Sequence, residues 1–538
     1  MAGRRARRAV KTAGIAAAAA AFAAWTGGGS AAGAQPSTYH GAATRSNVSL
    51  VVTDEGTVRG RVGARMRSFL GIPYAAPPVG DLRWQPPRPH STWSGIRNAT
   101  AFGSSCPQAA SLSSRGSTNE DCLFLNVFTP LATNVGKGYP VMVWIHGGGL
   151  TSGESSDFIP EALVARKVVV VTVNYRLGVL GFLAHPSLTA ESSDHASGDY
   201  GLLDQQSALR WVRENIARFG GDSGNVTLFG ESAGGVSVHA QLASPRARGL
   251  FQRAIVESGG YSGSQPSLPA AERAGRAFAA TVGCRAQSAA CLRRVPVATL
   301  LAKQPLFDAT PVIDGIVLTR SITRAIANGA FNRVPVIEGS NHDEFRFFLA
   351  TNGPPGGVPV TSSRYRAAIA ATLGVTASTA ARIAARYPLS RYASPSLALG
   401  ALGTDALYAC RAWAAAQALS PYVPTYQYEF DDEGAPRFFP VRLPGFPLGA
   451  YHSAELPYLF TLRGVPSRLA GEHEKLARAM LDLWTTFART GEPGSGWPRY
   501  SVATHETESL VPPLPTTEAG FAADHQCAFW RRTPVATP

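Results

Sequence analysis

Five short runs of almost entirely apolar residues most constrain the fold of this chain. Runs of this length and composition are typical of parallel strands that are buried on both faces of a sheet. They cover Leu123–Phe128, Val141–Ile145, Val168–Val173, Val226–Phe229 and Val334–Glu338. Between the third run and the fourth, Leu202–Phe219 has the apolar spacing of an amphipathic helix. This alternation predicts an α/β fold with a central, mostly parallel, twisted sheet flanked by helices.

The remaining segments fit one large domain. The chain has 538 residues, of which 45% are hydrophobic and 16% are charged, so it can bury a sizeable core. Residues 262–332 and 353–400 are rich in alanine and are predicted to be helical insertions that cap the sheet, and Leu469–Thr490 is predicted to be a late helix. Without a linker or an internal repeat, we expect a single domain over residues 49–535.

The N-terminus has the organisation of a signal peptide over residues 1–34. A basic segment from Arg4 to Lys11 precedes a short apolar run, and Ala32-Gly33-Ala34 fits a cleavage site. The paired arginines also resemble a twin-arginine signal, so both export routes stay open. We expect secretion, with residues 35–48 as a flexible segment after cleavage.

The charge pattern argues against a nucleic-acid partner. The formal net charge is +14, but no long run of Lys or Arg follows the N-terminal segment. Nucleic-acid surfaces usually cluster their basic residues. No later segment is apolar enough to predict a stable membrane span.

The six cysteines predict disulfides rather than a metal or redox site. Their number is even, which suits an exported protein, and no pair has Cys-x-x-Cys spacing. The spacing suggests two short loops and one long-range pair: Cys106–Cys122, Cys284–Cys291 and Cys410–Cys527.

A Gly-x-Ser-x-Gly sequence gives the strongest local signal of chemistry. Gly230-Glu231-Ser232-Ala233-Gly234 follows an apolar strand and precedes a predicted helix. Glycines leave room for a tight, strained turn that raises the Ser232 hydroxyl above the sheet, next to a helix N-terminus. This pattern favours Ser232 as a nucleophile.

A glycine run after another strand supplies the expected oxyanion hole. Gly147, Gly148 and Gly149 follow the strand Val141–Ile145, and their backbone N–H groups can approach a substrate oxygen together with that of Ala233. The run lacks the Gly-Lys-Ser/Thr ending of a phosphate-binding loop.

Chain order alone leaves the base and the acid open, because in this arrangement an acid and then a histidine follow the serine. His452, in a segment after a Pro/Gly-rich loop, best fits a base at the edge of the sheet. His239 stands too close to Ser232 in the chain, and His473 lies in a charged stretch. The histidines are His239, His342, His452, His473, His505 and His525. The acids are Asp308, Asp314, Glu338, Asp343, Glu344 and Asp405.

Several longer motifs together resemble the type-B carboxylesterase/lipase family, including its secreted bacterial carboxylesterases. They are Phe69–Ala75, Asp81–Trp84, Asn119–Leu123, Trp144–Gly149, Phe219–Asp222 and Phe229–Gly235. The resemblance extends from about Thr57 to Trp530. It implies an α/β-hydrolase fold and a serine carboxylesterase that acts on small-molecule esters through an acyl-enzyme, without a metal or a cofactor.

The resemblance also implies the site residues. Glu344 corresponds to the acid of the family's Asp-Glu-Gly motif, and His452 corresponds to the base. Gly148, Gly149 and Ala233 correspond to the oxyanion donors, and Glu231 lies in the pocket. The family further implies an Arg83–Glu120 ion pair and the three disulfides suggested above.

Two departures from the family pattern are visible. Phe345 follows Glu344 where glycine is usual, and the segment between Cys106 and Cys122 has no tryptophan. Because cholinesterases hold quaternary ammonium on a tryptophan of that loop, we predict that this protein is not a cholinesterase. A non-catalytic binding module and a lipase with interfacial activation remain the rival interpretations.

Overall fold

A computed structural model describes residues 48–535, except 112–113, 133–135, 261–263, 354–358, 440–445, 467–468, 495 and 534. The predicted signal peptide and the flexible segment up to residue 47 lie outside the described residues. The strands are β1 Val48–Val52, β2 Thr57–Val62, β3 Met66–Pro73, β4 Ile96–Asn98, β5 Phe124–Pro130, β6 Tyr139–Ile145, β7 Phe158–Ile159, β8 Val169–Val173, β9 Gly221–Glu231, β10 Arg253–Glu257, β11 Val336–Asn341, β12 Thr425–Phe430, β13 Thr461–Leu462, β14 Thr507–Leu510 and β15 Thr516–Glu518.

Helices of very different lengths connect these strands. They are α1 Glu161–Val164, α2 Gly178–Phe182, α3 Pro186–Glu191, α4 Tyr200–Asn215, α5 Ala233–Ala243, α6 Leu268–Thr281, α7 Ala289–Arg293, α8 Val297–Lys303, α9 Ile322–Ala327, α10 Glu344–Asn352, α11 Tyr365–Leu373, α12 Ala377–Arg386, α13 Pro395–Thr404, α14 Cys410–Leu419, α15 Leu456–Leu459, α16 Glu472–Thr490, α17 Phe521–Asp524 and α18 Cys527–Trp530. A π-helical segment, Asp405–Ala409, joins α13 to α14.

One large sheet organises the described residues. Its strand order is β1-β2-β3-β5-β8-β6-β9-β10-β11-β12-β14-β15, and β4 pairs with β2. The strands from β8 to β14 in this order are parallel, whereas β1, β2, β3 and β5 extend the sheet with antiparallel pairs. The predicted α/β class with a mostly parallel sheet is therefore confirmed.

Burial on both faces explains why the central strands are almost wholly apolar. Along β6, Val141, Val143 and Ile145 belong to one hydrophobic core, and Met142 and Trp144 belong to the core on the opposite face. Side chains alternate across a strand, so a strand between two helical layers needs apolar residues at every position. All five strands predicted from apolar runs are present, with ends that differ by a few residues.

The helical predictions are also largely matched. The predicted helix Leu202–Phe219 comprises α4 and a 3₁₀ turn at Ile216–Phe219, and α16 fills most of Leu469–Thr490. The two alanine-rich insertions contain α6 to α9 and α11 to α13. Among the described residues, no single helix is long and apolar enough to cross a membrane. Two consecutive helical segments, Ser362–Leu373 and Ala377–Arg391, together have the length and composition of a membrane span, but they are bent by 113° relative to each other.

All six cysteines are paired in the structure. The disulfides are Cys106–Cys122, Cys284–Cys291 and Cys410–Cys527. The first encloses the segment that packs against the glycine loop after β6, where Gln108 bonds both the N–H and the carbonyl of Gly153. This disulfide therefore supports the edge of the sheet where the predicted site residues meet.

Candidate active site

The predicted nucleophile occupies a strained turn between β9 and α5. Ser232 has φ 57° and ψ −122°, a backbone conformation that costs a non-glycine residue about 1–3 kcal/mol. Its N–H donates to the Glu257 carbonyl at 2.8 Å, which ties the turn to the neighbouring strand β10. A Cβ atom on Gly234 would lie 2.0 Å from the Ile145 carbonyl oxygen, so the close approach of the two strand ends requires glycine.

Three unpaired backbone donors surround this turn. The N–H groups of Gly148, Gly149 and Ala233 donate to no other atom of the described chain. Gly148 and Gly149 have φ angles of 100° and 64° and are exposed, while Ala233 begins α5. A helix N-terminus and a glycine loop with free N–H groups together suit a developing negative charge on an oxygen atom.

A second pair of predicted residues meets beside the turn. The Nδ1 atom of His452 donates to Glu344 Oε2 at 2.5 Å, and both side chains are buried. Glu344 lies three residues after β11, and its other oxygen accepts the N–H of Asn341 at 2.9 Å. These contacts orient the imidazole so that Nε2 faces the end of β9.

The Nε2 atom of His452 currently faces the residue before Ser232. It lies 3.2 Å from Glu231 Oε1, which also accepts the hydroxyl of Ser453 at 2.5 Å. No hydrogen bond joins the Ser232 hydroxyl to His452 among the described residues. Hydrogen bonds of this kind are often long or misaligned until a substrate binds.

The charges of the site act on His452 in opposite directions. Burial disfavours the imidazolium, but the charges of Glu231 and Glu344 and the bond to Glu344 outweigh burial and raise the pKa of His452. Burial also raises the pKa of Glu231, against the attraction of His452 and the Ser453 hydrogen bond. The charge of each group therefore favours the charged form of the other.

The residue after Glu344 does not need to be glycine in this structure. Phe345 belongs to the first turn of α10, outside the positive-φ region, and its N–H donates to Thr404 Oγ1 at 3.0 Å. The departure from the family pattern at Phe345 is therefore compatible with the backbone around Glu344.

Sequence reasoning missed an aromatic wall around the imidazole. The rings of Phe348, Tyr408 and Phe347 have centroids 4.9, 5.2 and 6.0 Å from that of His452. The two phenylalanines stand three and four residues after Glu344, so the sequence could have indicated that they lie near the acid. Tyr408 comes from the π-helical segment, and no local pattern indicated it.

Two further buried carboxyl groups lie behind the site and were also missed. Trp484 Nε1 donates to Glu257 at 2.7 Å, and the Asn341 amide donates to Glu455. Burial raises the pKa of Glu257 to about 8. Burial and the neighbouring carboxylates raise the pKa of Glu455 well above its ordinary value. Raised pKa values favour the neutral forms of both carboxyl groups, and neutral forms carry no negative charge towards His452.

The other candidate histidines and acids lie elsewhere. His239, on α5, bonds Glu338 of β11 at 2.9 Å, His473 contacts Asp432, and His505 contacts Tyr500. Asp314 holds a turn through the N–H groups of residues 316–318. Each of these groups is engaged in its own local contacts rather than with the Ser232 turn.

The predicted ion pair outside the site is present. Arg83 and Glu120 form two hydrogen bonds of 2.7 and 2.6 Å, and Arg83 Nη1 also donates to the carbonyls of Arg293 and Val295. Through these last two bonds, Arg83 joins the chain before Cys106 to the helical insertion that contains α7.

Comparisons with known proteins agree with this arrangement. A model of the carboxylesterase family matches residues 47–530. A para-nitrobenzyl esterase of Bacillus subtilis (strain 168) is 37% identical over 485 residues, which are 85% of this chain and 94% of that protein. A fumonisin B1 esterase of Sphingopyxis macrogoltabida is 37% identical over 480 residues, 83% of this chain and 84% of that protein.

A solved structure gives the same result at the level of the fold. A PNB esterase has a TM-score of 0.75 and 35% sequence identity, and the match covers 89% of this chain and 98% of that one. The family resemblance and the fold predicted from the sequence are both confirmed. The chain belongs to the carboxylesterase family, with an α/β-hydrolase fold, and is a carboxylic ester hydrolase.

Proposed function

We propose that Ser232, His452 and Glu344 are the catalytic triad of this ester hydrolase and that it acts through an acyl-enzyme. The observation that carries the proposal is the buried 2.5 Å bond between His452 and Glu344 beside a strained serine turn. A serine hydroxyl is a weak nucleophile at neutral pH and needs a base that a third group orients.

The first half of the reaction forms the acyl-enzyme. His452 Nε2 turns from Glu231 towards Ser232 and takes its proton while Oγ bonds to the ester carbonyl carbon. The N–H groups of Gly148, Gly149 and Ala233 receive the developing oxyanion. His452 then gives the proton to the leaving alcohol oxygen as the ester bond breaks.

The second half releases the acid. Water attacks the acyl carbon and transfers its proton to His452, and the proton returns to Ser232 Oγ as the acyl bond breaks. Glu344 stays ionised and stabilises the imidazolium in both halves. No step requires a metal or a cofactor.

The decisive experiment uses p-nitrophenyl esters from acetate to palmitate. We expect Ser232→Ala to lose at least about 10⁴-fold in kcat/KM, because the base then has no nucleophile to activate. Ser193→Ala, a change at an exposed serine, is the control and should keep full activity. Equal activity of both variants would contradict the role of Ser232.

The same series separates the rival functions. A folded wild-type protein with no activity on any ester would favour a non-catalytic binding module. A rise in activity above the critical micelle concentration of a long-chain ester would favour a lipase. Activity on short esters in solution, without such a rise, supports the carboxylesterase.

We further propose that the protein is exported and that a signal peptide is removed after Ala34. The basic and apolar segments of residues 1–34 support this, as do three disulfides, which persist in oxidising compartments. N-terminal sequencing of protein from the culture medium of a bacterial host should begin at Gln35. Retention of Met1 in the medium would contradict cleavage, and absence from the medium would contradict export.

A further inference from the structure

A cluster of metal-ligand side chains lies outside the triad, where three distant parts of the chain meet. His342 follows β11, Glu429 lies near the end of β12, and His525 lies between α17 and α18. The Nδ1 atom of His342 is 2.8 Å from Glu429 Oε1, and the Nε2 atom of His525 is 2.7 Å from the same oxygen. The three candidate ligand atoms all lie within 4.8 Å of one another.

A chain of buried hydrogen bonds orients one of these histidines from behind. His525 Nδ1 donates to Asp405 Oδ1 at 2.6 Å, and the other oxygen of Asp405 accepts the Tyr387 hydroxyl at 2.6 Å. Tyr387 in turn accepts from Trp530 Nε1 at 2.6 Å. Histidines that ligate metals usually donate their second nitrogen to a carboxylate in this way, which fixes the ring and directs the other nitrogen at the ion.

The cluster is reachable from solvent on one side. The side chain of His342 is 35% exposed, whereas those of His525 and Glu429 are almost fully buried. Asp431 Oδ1 lies 3.7 Å from His342 Nδ1 on the open side and has a 31% exposed side chain. A small ion can therefore enter past His342 and find a further carboxylate at the entrance.

We propose that His342, Glu429 and His525 bind one divalent transition-metal ion, with Zn²⁺ as the best fit. Two imidazoles and one carboxylate form a common zinc ligand set, and Asp431 or water completes a tetrahedron. With metal–ligand bonds of about 2.1 Å, ligand atoms in a tetrahedron lie about 3.4 Å apart. The two nitrogen–oxygen separations of 2.7 and 2.8 Å need to open by about 0.6–0.7 Å to fit this geometry. The two histidine nitrogens, which lie within 4.8 Å of each other, need to take up the same spacing.

The position of the cluster indicates what the ion does. It joins the ends of β11 and β12 to the C-terminal segment, close to the disulfide Cys410–Cys527. A metal that binds only the folded chain stabilises it by mass action. The site therefore has a structural role that goes beyond the proposed ester hydrolysis and does not depend on it.

The test is metal binding to the tag-free full chain after treatment with a chelator. Isothermal titration with Zn²⁺ should show one saturable site, and Co²⁺ should give the visible absorption of a tetrahedral centre. His342→Ala should abolish both, and His342→Gln, which keeps more of the side-chain volume, should do the same. Zn²⁺ should also raise the thermal midpoint of the wild-type protein and leave that of the variants unchanged.

His505→Ala is the matched control, because His505 is also a half-buried histidine but contacts a tyrosine instead of carboxylates. It should bind Zn²⁺ like the wild-type protein. Equal binding by the folded His342 variants would overturn the proposal, as would the absence of saturable binding to wild type. In that case the cluster is a proton-linked network that needs no ion. No ester is used, so failure of the proposed function would not affect the result.

Discussion

At the scale of single residues, two carboxylates contact the two ring nitrogens of His452. Glu344 holds Nδ1, while Glu231, the residue before the proposed nucleophile, lies 3.2 Å from Nε2. The negative charge of Glu231 favours the imidazolium and contributes to the raised pKa of His452. A base must be neutral to accept a proton, so activity should be lost as the pH falls through this raised pKa.

Glu231→Gln should therefore shift the acid limb of kcat/KM to lower pH. The neutral amide no longer favours the charged imidazole, so the pKa of His452 should fall. The measurement is a pH profile of p-nitrophenyl acetate hydrolysis from pH 4 to 9. Glu508→Gln, a carboxyl on β14 that contacts Thr517, is the control and should leave the profile in place. An acid limb that stays fixed or moves to higher pH in Glu231→Gln would refute this electrostatic role.

At the scale of elements, a buried ion pair joins the segment after β8 to α4. Arg176 binds both oxygens of Asp204 at 2.7 Å, and the two side chains are 3% and 0% exposed. The same guanidinium reaches the Gln85 carbonyl in the N-terminal segment. The ion pair cannot be predicted from the sequence, because nothing in the local pattern of α4 distinguishes Asp204 from a solvent-exposed aspartate.

Asp204→Asn should destabilise the fold by about 3–5 kcal/mol, since it leaves a buried guanidinium without its counter-charge. The control is Asp194→Asn, which breaks the surface pair with Arg246, where the side chains are 34% and 41% exposed. That change should cost no more than about 1 kcal/mol. Urea denaturation followed by circular dichroism gives both values. Similar urea midpoints for the two variants would show that the buried ion pair stabilises the fold no more than the surface pair does.

At the scale of the whole molecule, disulfides constrain loops of very different sizes. Cys410–Cys527 links residues 117 apart and fastens the C-terminal helices to the helix that follows the π segment, whereas Cys284–Cys291 links residues only 7 apart. In the chain-entropy model, a cross-link stabilises by restricting the unfolded chain, and the effect grows with loop length.

Replacing Cys410 and Cys527 together by serine should lower the free energy of unfolding by about 5 kcal/mol in that model. The matched double replacement of Cys284 and Cys291 should lower it by about 2.5 kcal/mol. Thermal unfolding of the oxidised proteins ranks the two variants. A larger loss from the short loop would mean that native contacts, rather than loop entropy, dominate.

The sequence by itself determined the elements whose signal is local. Apolar runs such as Val168–Val173 identify strands because a strand buried on both faces needs apolar side chains at every position. The Ser232 turn is recognisable because its glycines stand within a few residues of the serine. Strand β12, by contrast, alternates polar and aromatic residues, and no apolar run predicted it.

Only the tertiary structure decided which distant residues meet. Chain order left six histidines and six acids open, and the family resemblance selected His452 and Glu344, which are 108 residues apart and lie 2.5 Å from each other in the fold. The contacts of Tyr408, Glu257 and Glu455 with the site arise from the same folding of the sheet. Local periodicity reports which face of an element is buried, whereas the pairing of buried polar groups depends on how the strand ends converge.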